Sequence, residues 1–539
     1  MAEEDLGRAD GALAAPLDRC VPRTPTRRSR GTPPLTFFLF PRARLTRLSR
    51  HLPPRPRFGI TYAIMFLAGV GTLLPWNVFI TERAYFDTRL AVPPATPALS
   101  RSFESVFGIT YMFANTFALA AMVKFDGVTR LHRLAQVPLP LLGMAALLAF
   151  TGALTHAVGM SGDATMAWSL ATLVCLGALT ALVQGGSFGA ASCLPPRYNQ
   201  AIMSGQAVAG VVSAVVALAS TLGSVPGDGD GDGDGDDSAQ ASTYFFTAAA
   251  LLAACHVGCL FLPSVPFYRH HAARAKEARK TDRTRRRRSR HRGDGDGVSG
   301  DGDGVSGDGD ENSATAPLLD NASFEDEEAP FDALAEDDDD DGFVLPAGRT
   351  REGEMSLYRA AVCATFATTL TVFPAVTSAV CSARNGAARP PCVPDPPGQS
   401  RLFGDLWVPS LFLLFNVGDL CGRCAANAWP RAPPGARAAA TAAAARIALI
   451  PPLLACNVVV ADRWRFPRWF AGSDLAPIAL VAALAFTNGH LASVCVMYGP
   501  ALAPLSRRAE EGSKTSLAVV AGIAMGCVSS YALSAAMQA

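Results

Sequence analysis

The stretch FGITYAIMFLAGVGTLLPWNVFIT, residues 58–81, decides the fold class of this chain. It holds no charged residue, and about 20 apolar residues are enough for an α-helix to cross the hydrocarbon core of a bilayer. The stretch nevertheless carries Trp76 and Asn77. A buried asparagine needs partners for both its amide nitrogen and its oxygen, so either a neighbouring helix or a ligand that comes and goes must supply them.

Ten further apolar runs follow the first. Of the whole chain 50% is hydrophobic and 17% is charged, below the roughly 25% charge of soluble domains, and the charges crowd into the N-terminal tail and one central segment. The runs are 58–80, 104–124, 134–157, 164–193, 199–224, 243–267, 356–381, 403–430, 438–460, 474–503 and 514–537. Because only helices satisfy their own backbone inside such segments, we expect an all-α polytopic membrane protein with eleven transmembrane helices.

Long polar segments divide these runs into six and five. We expect residues 1–57 to be a disordered basic cytoplasmic tail, 58–268 a six-helix half, 269–355 a disordered cytoplasmic linker and 356–539 a five-helix half. Gly-Asp repeats at 227–237 and 293–309 are unable to bury a core and indicate disorder. The linker is either a plain flexible tether or a regulatory, phosphorylated or lipid-facing segment.

Arginine placement predicts the orientation. Six arginines precede the first run between positions 42 and 57, and the block RTRRRRSRHR occupies 283–292. Basic flanks favour the cytoplasmic side, so the N-terminus and the linker are both placed there. Eleven crossings then put the C-terminus on the luminal or extracellular face.

Several catalytic signatures occur in the wrong structural context. Gly185, Ser187 and Gly189 spell G-x-S-x-G, but the segment is apolar and helical and lacks the preceding strand of a nucleophile elbow. Cys421 and Cys424 spell C-x-x-C inside a predicted span. No lysine follows a glycine, so no phosphate-binding loop exists and ATP is not expected to supply energy. The sequence therefore predicts a protein that is not an enzyme and uses no cofactor or metal.

Polar residues inside the runs are more informative. Asn416, Asp419 and Arg423 lie at offsets of zero, three and seven in FNVGDLCGR, which puts them on one helix face with Asp419 and Arg423 as an i,i+4 pair. A charge near the bilayer centre costs about 2.5–3.5 kcal/mol on insertion scales, so such residues face the bundle interior. They form either a substrate path or a salt bridge that only locks helices. Polar groups at similar depth, which favour the path, are Trp76, Asn77, Gln184 and Asn488.

Small residues and cysteines suggest local packing. Gly205 and Gly210 in SGQAVAG favour close approach between helices. Cys381 and Cys392 flank a proline-rich loop that the predicted topology places outside, where they could form a disulfide or stay ordinary helix-end cysteines.

Six stretches in order carry a family resemblance. They are GVGTLLPWNVFIT at 69–81, LVQGGSFG at 182–189, LPPRYNQAIMSGQAVAG at 194–210, FNVGDLCGR at 415–423, FTNGHLASVCVMYGP at 486–500 and EEGSKTSLAVVAGIAMG at 510–526. Together they resemble the equilibrative nucleoside transporter family, solute carrier family 29, and DLCGR and RYNQA look most like its equilibrative nucleoside transporter 3 branch. That branch is mostly endolysosomal. No acidic dileucine signal is found, so endolysosomal and plasma membranes both stay open.

The resemblance implies a fold like the major facilitator superfamily less one helix, with the substrate at mid-membrane between two halves. It implies substrate contacts for Trp76 (stacking on the base or gating), Gln184 (hydrogen bond to the base), Phe412 (a wall for the base), Asn416 (support for the charged pair), and Asp419 with Arg423 (ribose hydroxyls). Gating and helix-packing residues are Leu73, Asn77, Gly205, Gly210 and Asn488. Asn77 is equally compatible with a helix–helix hydrogen bond.

The leading function is facilitated, equilibrative transport of nucleosides by alternating access, with or without an influence of protons. The alternatives are an organic-cation, monoamine or nucleobase carrier of the same family, and a non-transporting receptor or scaffold. The expected partners are nucleosides such as adenosine and uridine and the lipid bilayer, without nucleic acid. Base preference and oligomeric state are left open.

Overall fold

Eleven helices in the predicted apolar runs and one linker helix form the described part of the structure. The computed structural model describes residues 59–96, 103–126, 131–157, 159–223, 233–293, 351–384, 400–428, 435–459 and 467–538, so the predicted tail at 1–57 lies outside it. The helices are α1 Ile60–Thr81, α2 Phe103–Lys124, α3 Pro138–Leu154, α4 Gly162–Ala191, α5 Arg197–Gly223, α6 Gly233–Phe261, α7 Arg351–Val372, α8 Trp407–Ala428, α9 Ala436–Ala445, α10 Leu475–Tyr498 and α11 Arg508–Gln538. A 3₁₀ turn, Arg446–Leu449, and a helical turn, Ile450–Leu454, continue α9.

Ten of these segments are long and apolar enough to cross a bilayer, which confirms a multi-pass membrane protein. Helix α8 is not among the ten because of its polar residues, which include Asp419 and Arg423. The count of eleven crossings therefore stays a prediction, although α8 covers most of the predicted run 403–430.

Helix α1 shows how the opening stretch folds. Gly59 precedes it with φ of 64°, a left-handed conformation that glycine adopts without a steric penalty. Pro75 lies inside the helix and removes one backbone donor. The helix is nevertheless continuous from Ile60 to Thr81, because packing on several sides holds it: Leu74, Val78 and Phe79 are all buried.

Large apolar side chains are exposed on the outer surface of the bundle, as expected for contact with lipid rather than water. The most exposed of them include Phe117, Phe150, Phe261, Met525 and Tyr531, which come from four different helices.

Close backbone packing joins helices within each half. At Gly69 of α1 an added methyl group would overlap the Ile202 carbonyl of α5, and at Gly205 of α5 it would overlap the Phe66 carbonyl of α1. The same arrangement recurs between α8 and α10, at Gly422 and Gly489. Small residues at such crossings allow dense contact in a bilayer, where no hydrophobic effect drives helices together.

The two halves share part of their interior. One buried apolar cluster belongs to α1–α4 and α6, and another belongs to the second half. A third cluster mixes Phe188, Ile202 and Met203 of the first half with Val362, Leu491 and Val519 of the second. The boundary between the halves is therefore packed, which places polar residues there in a protein environment rather than in lipid.

The linker begins as a helix, which corrects the expectation of disorder from residue 269. This linker helix, Pro266–Gly293, is rich in arginine and alanine, both good helix formers. Phe267 and Tyr268 are buried in its first turn, so packing stabilises its start. The Gly-Asp repeat at 227–237 is likewise helical from Gly233, where α6 begins. The rest of the linker, 294–350, lies outside the described residues.

Candidate functional site

The charged pair of α8 is buried and hydrogen-bonded. Arg423 Nε donates to Asp419 Oδ2 at 2.7 Å, and the two side chains are 6% and 7% exposed. Both residues lie on the same face of α8 at i,i+4, as the sequence predicted. Charge-assisted bonds of this length are roughly twice as strong as neutral ones. The pair is thus a fixed feature of the interior.

Asn488 of α10 completes this cluster. Its Nδ2 donates to Asp419 Oδ1 at 2.7 Å, so each carboxylate oxygen of Asp419 accepts one hydrogen bond from a different helix position. A carboxylate oxygen has two lone pairs, which leaves acceptor capacity on both atoms. The sequence placed Asn488 at a depth similar to that of the charged pair and among the gating and packing residues, and the structure puts it in direct contact with the pair.

Arg423 also reaches the first half. Its Nη1 donates to the Met203 carbonyl of α5 at 2.5 Å, while the Gln200 side chain of α5 donates to the Arg423 carbonyl at 3.2 Å. Tyr62 of α1 in turn donates to Gln200 Oε1 at 2.8 Å. The charged pair therefore lies at the boundary between the two halves. Among the described residues nothing accepts from Arg423 Nη2, so this nitrogen retains two donors.

Asn416 contacts the boundary but not the pair. Its Nδ2 donates to the Phe412 carbonyl one turn earlier at 2.9 Å, and its Oδ1 lies where a methyl group on Gly210 would be. The expectation that Asn416 supports the charged pair is therefore not matched by a hydrogen bond in the structure. Gly210 instead allows α5 and the Asn416 side chain of α8 to approach.

Trp76 and Leu73 form a half-exposed face on α1. They are separated by three residues and are only partly buried, while Leu74, Asn77 and Val78 beside them are buried. One face of the Trp76 indole stacks on Tyr111 of α2, with ring centroids 5.3 Å apart and an interplanar angle of 23°.

Gln184 is buried without a partner for its side chain. It is 4% exposed on α4, and among the described residues its carboxamide makes no hydrogen bond. Gln184 lies one turn beyond Thr180 on α4, and Thr180 accepts from the Tyr111 hydroxyl at 3.0 Å. Gln184 therefore lies on a surface next to the Trp76–Tyr111 stack. Its amide nitrogen and oxygen are not among the fully buried polar atoms that lack a partner, so the carboxamide still meets open space and is accessible to a ligand.

Phe412 belongs to an aromatic group at the start of the second half. Its ring meets Phe373 edge-on at 5.0 Å, and Phe373 stacks on Phe415 at 3.8 Å. The group is therefore rigid, and Phe412 is its half-buried member.

Cys381 is disulfide-bonded, which agrees with the prediction that it pairs. Its predicted partner Cys392 lies outside the described residues, so the pairing itself stays a prediction.

Arg446 is a buried charged residue that the sequence analysis did not single out. Arg446, just after α9, is 4% exposed and donates to side chains and carbonyls of α7 and α10. The signal was available, because an arginine inside the Ala-rich run 438–460 satisfies the same rule that selected Asp419. It was missed because no neighbour at helical spacing carries the opposite charge.

The structure therefore brings Asp419, Arg423 and Asn488 into one cluster, with Phe412 and Asn416 on the preceding turns of α8. Trp76 and Gln184 line the first half. Within the described part of the chain, no hydrogen bond or ring contact joins them to the α8 residues. Any ligand that touched all of them would have to lie between the halves.

A helical bundle with a charged pair at the boundary of its two halves defines the class of multi-pass membrane transporters. The chain belongs to the nucleoside transporter family: the family model described as nucleoside transporter matches residues 170–318 and 353–535, more than half of the chain. This confirms the resemblance found in the sequence, and the family consists of transporters rather than enzymes.

Named relatives cover nearly the whole chain. Equilibrative nucleoside transporter 1 of Rattus norvegicus is 28% identical over 525 residues, which cover 89% of this chain and 98% of the relative. The Homo sapiens protein of that name is 26% identical, with 89% and 97% covered. Equilibrative nucleoside transporter 3 of Rattus norvegicus is 26% identical, with 84% of each chain covered. These similarities do not single out the equilibrative nucleoside transporter 3 branch.

Solved structures give a weaker likeness. The E. coli fucose:proton symporter FucP superposes with a TM-score of 0.43 at 11% identity, covering 88% of this chain and 92% of the symporter. The proton:xylose symporter XylE gives 0.44 at 12% identity. Because both likenesses are weak, the major-facilitator-like arrangement of the helices stays an expectation from the family resemblance.

Proposed function

We propose that this chain carries nucleosides across a membrane by facilitated, equilibrative transport, with the two halves alternately exposing a central site. The observation that carries this proposal is the buried Asp419–Arg423 pair at the boundary between α8 and α5. A boundary between two halves is where alternating access places a substrate, because rocking there exposes it first to one side and then to the other.

The charged pair offers what a ribose requires. Arg423 Nη2 provides two N–H donors, and the oxygens of Asp419 keep acceptor capacity beside their bonds to Arg423 and Asn488. A ribose presents adjacent hydroxyl groups, each of which donates and accepts. Two adjacent hydroxyls would therefore accept from Arg423 and donate to Asp419, and the substrate would need no net charge.

Groups for a flat base are available on the other side of the boundary. Trp76 is held by Tyr111 and leaves part of its indole accessible, and Gln184 has a carboxamide without a protein partner. Phe412, fixed by Phe373, offers a further ring. Aromatic surfaces with a few placed polar groups are typical of small-molecule sites.

The buried carboxylates of the described long helices are already paired with cationic side chains, which favours a neutral substrate over an organic cation. Asp419 is paired with Arg423, and Glu511, the other carboxylate buried within the described long helices, contacts Arg359 at 2.5 Å and Lys514 at 2.8 Å. A cation carrier needs a carboxylate that is free to meet the positive charge, and neither of these offers one.

We further propose the topology that the arginine distribution indicates, with a cytoplasmic N-terminus and linker and a luminal or extracellular C-terminus. The membrane is either endolysosomal or the plasma membrane.

A substrate panel tests the proposal. The purified full-length chain in proteoliposomes should transport labelled adenosine and uridine and should show much less flux of adenine and serotonin. Serotonin flux exceeding adenosine flux would support an organic-cation carrier, and adenine flux exceeding it would support a nucleobase carrier. The absence of flux for all four compounds, with intact protein of correct orientation, would favour a receptor or scaffold.

A further inference from the structure

Arg446 is a buried cation that the proposed nucleoside contacts leave unused. It lies in the 3₁₀ turn that follows α9 and is 4% exposed. Among the described residues no carboxylate lies within ion-pair distance of its guanidinium, in contrast to Arg423 and Arg359. Asp419 acts on Arg446 only through space, and the direct partners of Arg446 in the described part of the chain are all neutral. A buried charge without a direct ion-pair partner costs more than an apolar residue that would hold the same helices together.

Four hydrogen bonds fix the guanidinium. Nη1 donates to the Thr365 carbonyl at 2.8 Å, and Nη2 donates to the Leu484 carbonyl at 2.9 Å. The other two acceptors are hydroxyls: Thr369 Oγ1 at 2.8 Å from Nη2 and Thr487 Oγ1 at 3.0 Å from Nε. Arg446 thus binds α7 and α10 symmetrically, through one carbonyl and one threonine on each.

The two threonines differ in what lies beyond them. Thr487 Oγ1 donates only to carbonyls of its own helix, those of Ala483 and Leu484. Thr369 Oγ1 lies 2.8 Å from Asn488 Oδ1 and 2.9 Å from the Thr365 carbonyl. Its single proton can serve one of them at a time.

Arg446 decides where that proton goes. The Thr365 carbonyl already accepts from Arg446 Nη1, and the guanidinium also donates to the Thr369 oxygen, which leaves Asn488 Oδ1 as the better acceptor for the hydroxyl proton. With its oxygen engaged by Thr369, Asn488 must turn its Nδ2 towards Asp419, as the 2.7 Å bond to Asp419 Oδ1 shows. Hydrogen bonds aligned in one direction strengthen each other.

We infer that Arg446 is a positioning residue for the ribose site, acting through Thr369 and Asn488 to hold the Asp419 carboxylate in its ribose-binding orientation. This inference rests on the proposed nucleoside function. Without the guanidinium, Thr369 is free to donate to the Thr365 carbonyl, so Asn488 Oδ1 loses its donor and the Asn488 side chain is no longer held against the Asp419 carboxylate. Asp419 would then lose its second anchor, and the recognition of ribose hydroxyls would weaken while contacts to the base stayed intact.

A matched pair of variants tests the relay. Thr369→Val and Thr487→Val each remove one hydroxyl that accepts from Arg446, with nearly the same change in shape. The readout is the ratio of KM for 2′,3′-dideoxyadenosine to KM for adenosine in proteoliposomes. We expect Thr369→Val to lower this ratio about fivefold, the effect of one lost hydrogen bond, and Thr487→Val to leave it unchanged. Equal changes in both variants would overturn the inference, because a purely structural Arg446 does not distinguish them.

A double-mutant cycle gives a second readout. If Arg446 acts through Asp419, Arg446→Met should lower the KM ratio in the wild-type background and should have no further effect on it in an Asp419→Asn background. Independent, multiplicative effects would contradict the relay. If Arg446→Met does not reach the membrane, Arg446→Lys takes its place. It should lower the KM ratio in the same way but to a smaller extent. Wild-type protein that transports no adenosine would instead overturn the proposed function, which separates the two failures.

Discussion

Asp419 accepts hydrogen bonds from two side chains on two helices, Arg423 of α8 and Asn488 of α10. Arg423 in turn holds the Met203 carbonyl of α5. A simple brace between helices would need only one of these bonds. The cluster combines a buried salt bridge with unused donors on Arg423, which is why we assign it to substrate rather than to packing alone.

Removing the charges separately and together distinguishes these roles. Asp419→Asn or Arg423→Gln alone leaves one buried charge unpaired, a loss of about 3–5 kcal/mol that should reduce the folded protein at the membrane. The double variant should fold again, because no lone charge remains. It should nevertheless transport adenosine at least tenfold more slowly, because neutral amides do not replace charge-assisted bonds to ribose hydroxyls. Initial flux at matched surface expression is the measurement.

The matched control for this test is the substrate. The defect of the double variant should be smaller for 2′,3′-dideoxyadenosine, which lacks the hydroxyls that the pair is proposed to bind. Near-normal adenosine flux through the double variant would show that Asp419 and Arg423 only brace the bundle.

Gln184 gives a prediction for the base. Its carboxamide is buried and makes no hydrogen bond within the described part of the chain. Gln184→Ala should therefore cost little stability, since no protein partner is left unpaired, but should change the ratio of adenosine to uridine transport by about tenfold or less. Competition of each nucleoside against the other measures this ratio. An unchanged ratio with an altered ribose preference would contradict the assignment to the base.

At the scale of elements, the crossing of α8 and α10 holds the charged cluster. Gly489 lies against the backbone of Asp419, and Gly422 lies against the Phe486 carbonyl, so the two helices meet without intervening side chains. This contact is what brings Asn488 within 2.7 Å of Asp419.

Gly489→Ala should separate the helices and break that bond. Its methyl group would overlap the Asp419 carbonyl, and overpacking of this kind costs about 1–3 kcal/mol. We expect a lower melting temperature and weaker adenosine binding. Gly353→Ala, in the first turn of α7 with open space around it, is the matched control and should be neutral or slightly stabilising. Equal stability of both variants would refute the close contact.

The linker helix covers the junction of α4 and α5. Ala275 is buried against Cys193 and Ala509, while Ala273 on the same helix is exposed. Burial raises the pKa of the Cys193 thiol, although Arg279 and Arg508 oppose the shift. Since the thiolate is the reactive form, Cys193 should react slowly with maleimide near neutral pH and faster as the pH rises towards the raised pKa.

Ala275→Arg should open this contact and accelerate the labelling of Cys193 several-fold at constant pH, because solvation returns the thiol pKa towards its ordinary value. Peptide mass spectrometry after timed alkylation of the full chain measures the rate. Ala273→Arg adds the same charge on the exposed face and should leave the rate unchanged. Acceleration by both substitutions would mean that charge, and not the contact, controls the thiol.

The sequence predicted contacts within one helix but not contacts between helices. The spacing of Asp419 and Arg423 was sufficient to predict their pairing, because i,i+4 contacts are fixed by helix geometry alone. The bond from Asn488 and the network of Arg446 depend on which helices are neighbours, and helical periodicity contains no such information. The linker helix was missed for another reason: the disorder that the Gly-Asp repeats indicate was extended to the whole linker from residue 269, whereas buried Phe267 and Tyr268 anchor the start of this helix.

At the scale of the whole molecule, the two halves contact each other through both apolar and polar residues. Val362 and Val519 pack with Phe188 across the boundary, and Arg401 of the second half donates to the Leu222 carbonyl of α5 at 3.2 Å. Such contacts have to break and re-form if the halves rock. The apolar runs were sufficient to predict a multi-pass helical membrane protein, but the resemblance to a family was needed to expect a site between the halves.

Adenosine flux tests the central claim most directly. The full-length chain, reconstituted into liposomes with equal pH and ion composition on both sides, should take up labelled adenosine until the internal concentration equals the external one, and no further. The double variant Asp419→Asn, Arg423→Gln should approach the same end point much more slowly, since the site changes the rate and not the equilibrium. Sustained accumulation above the external concentration, or uptake no faster than that of empty liposomes, would contradict the account.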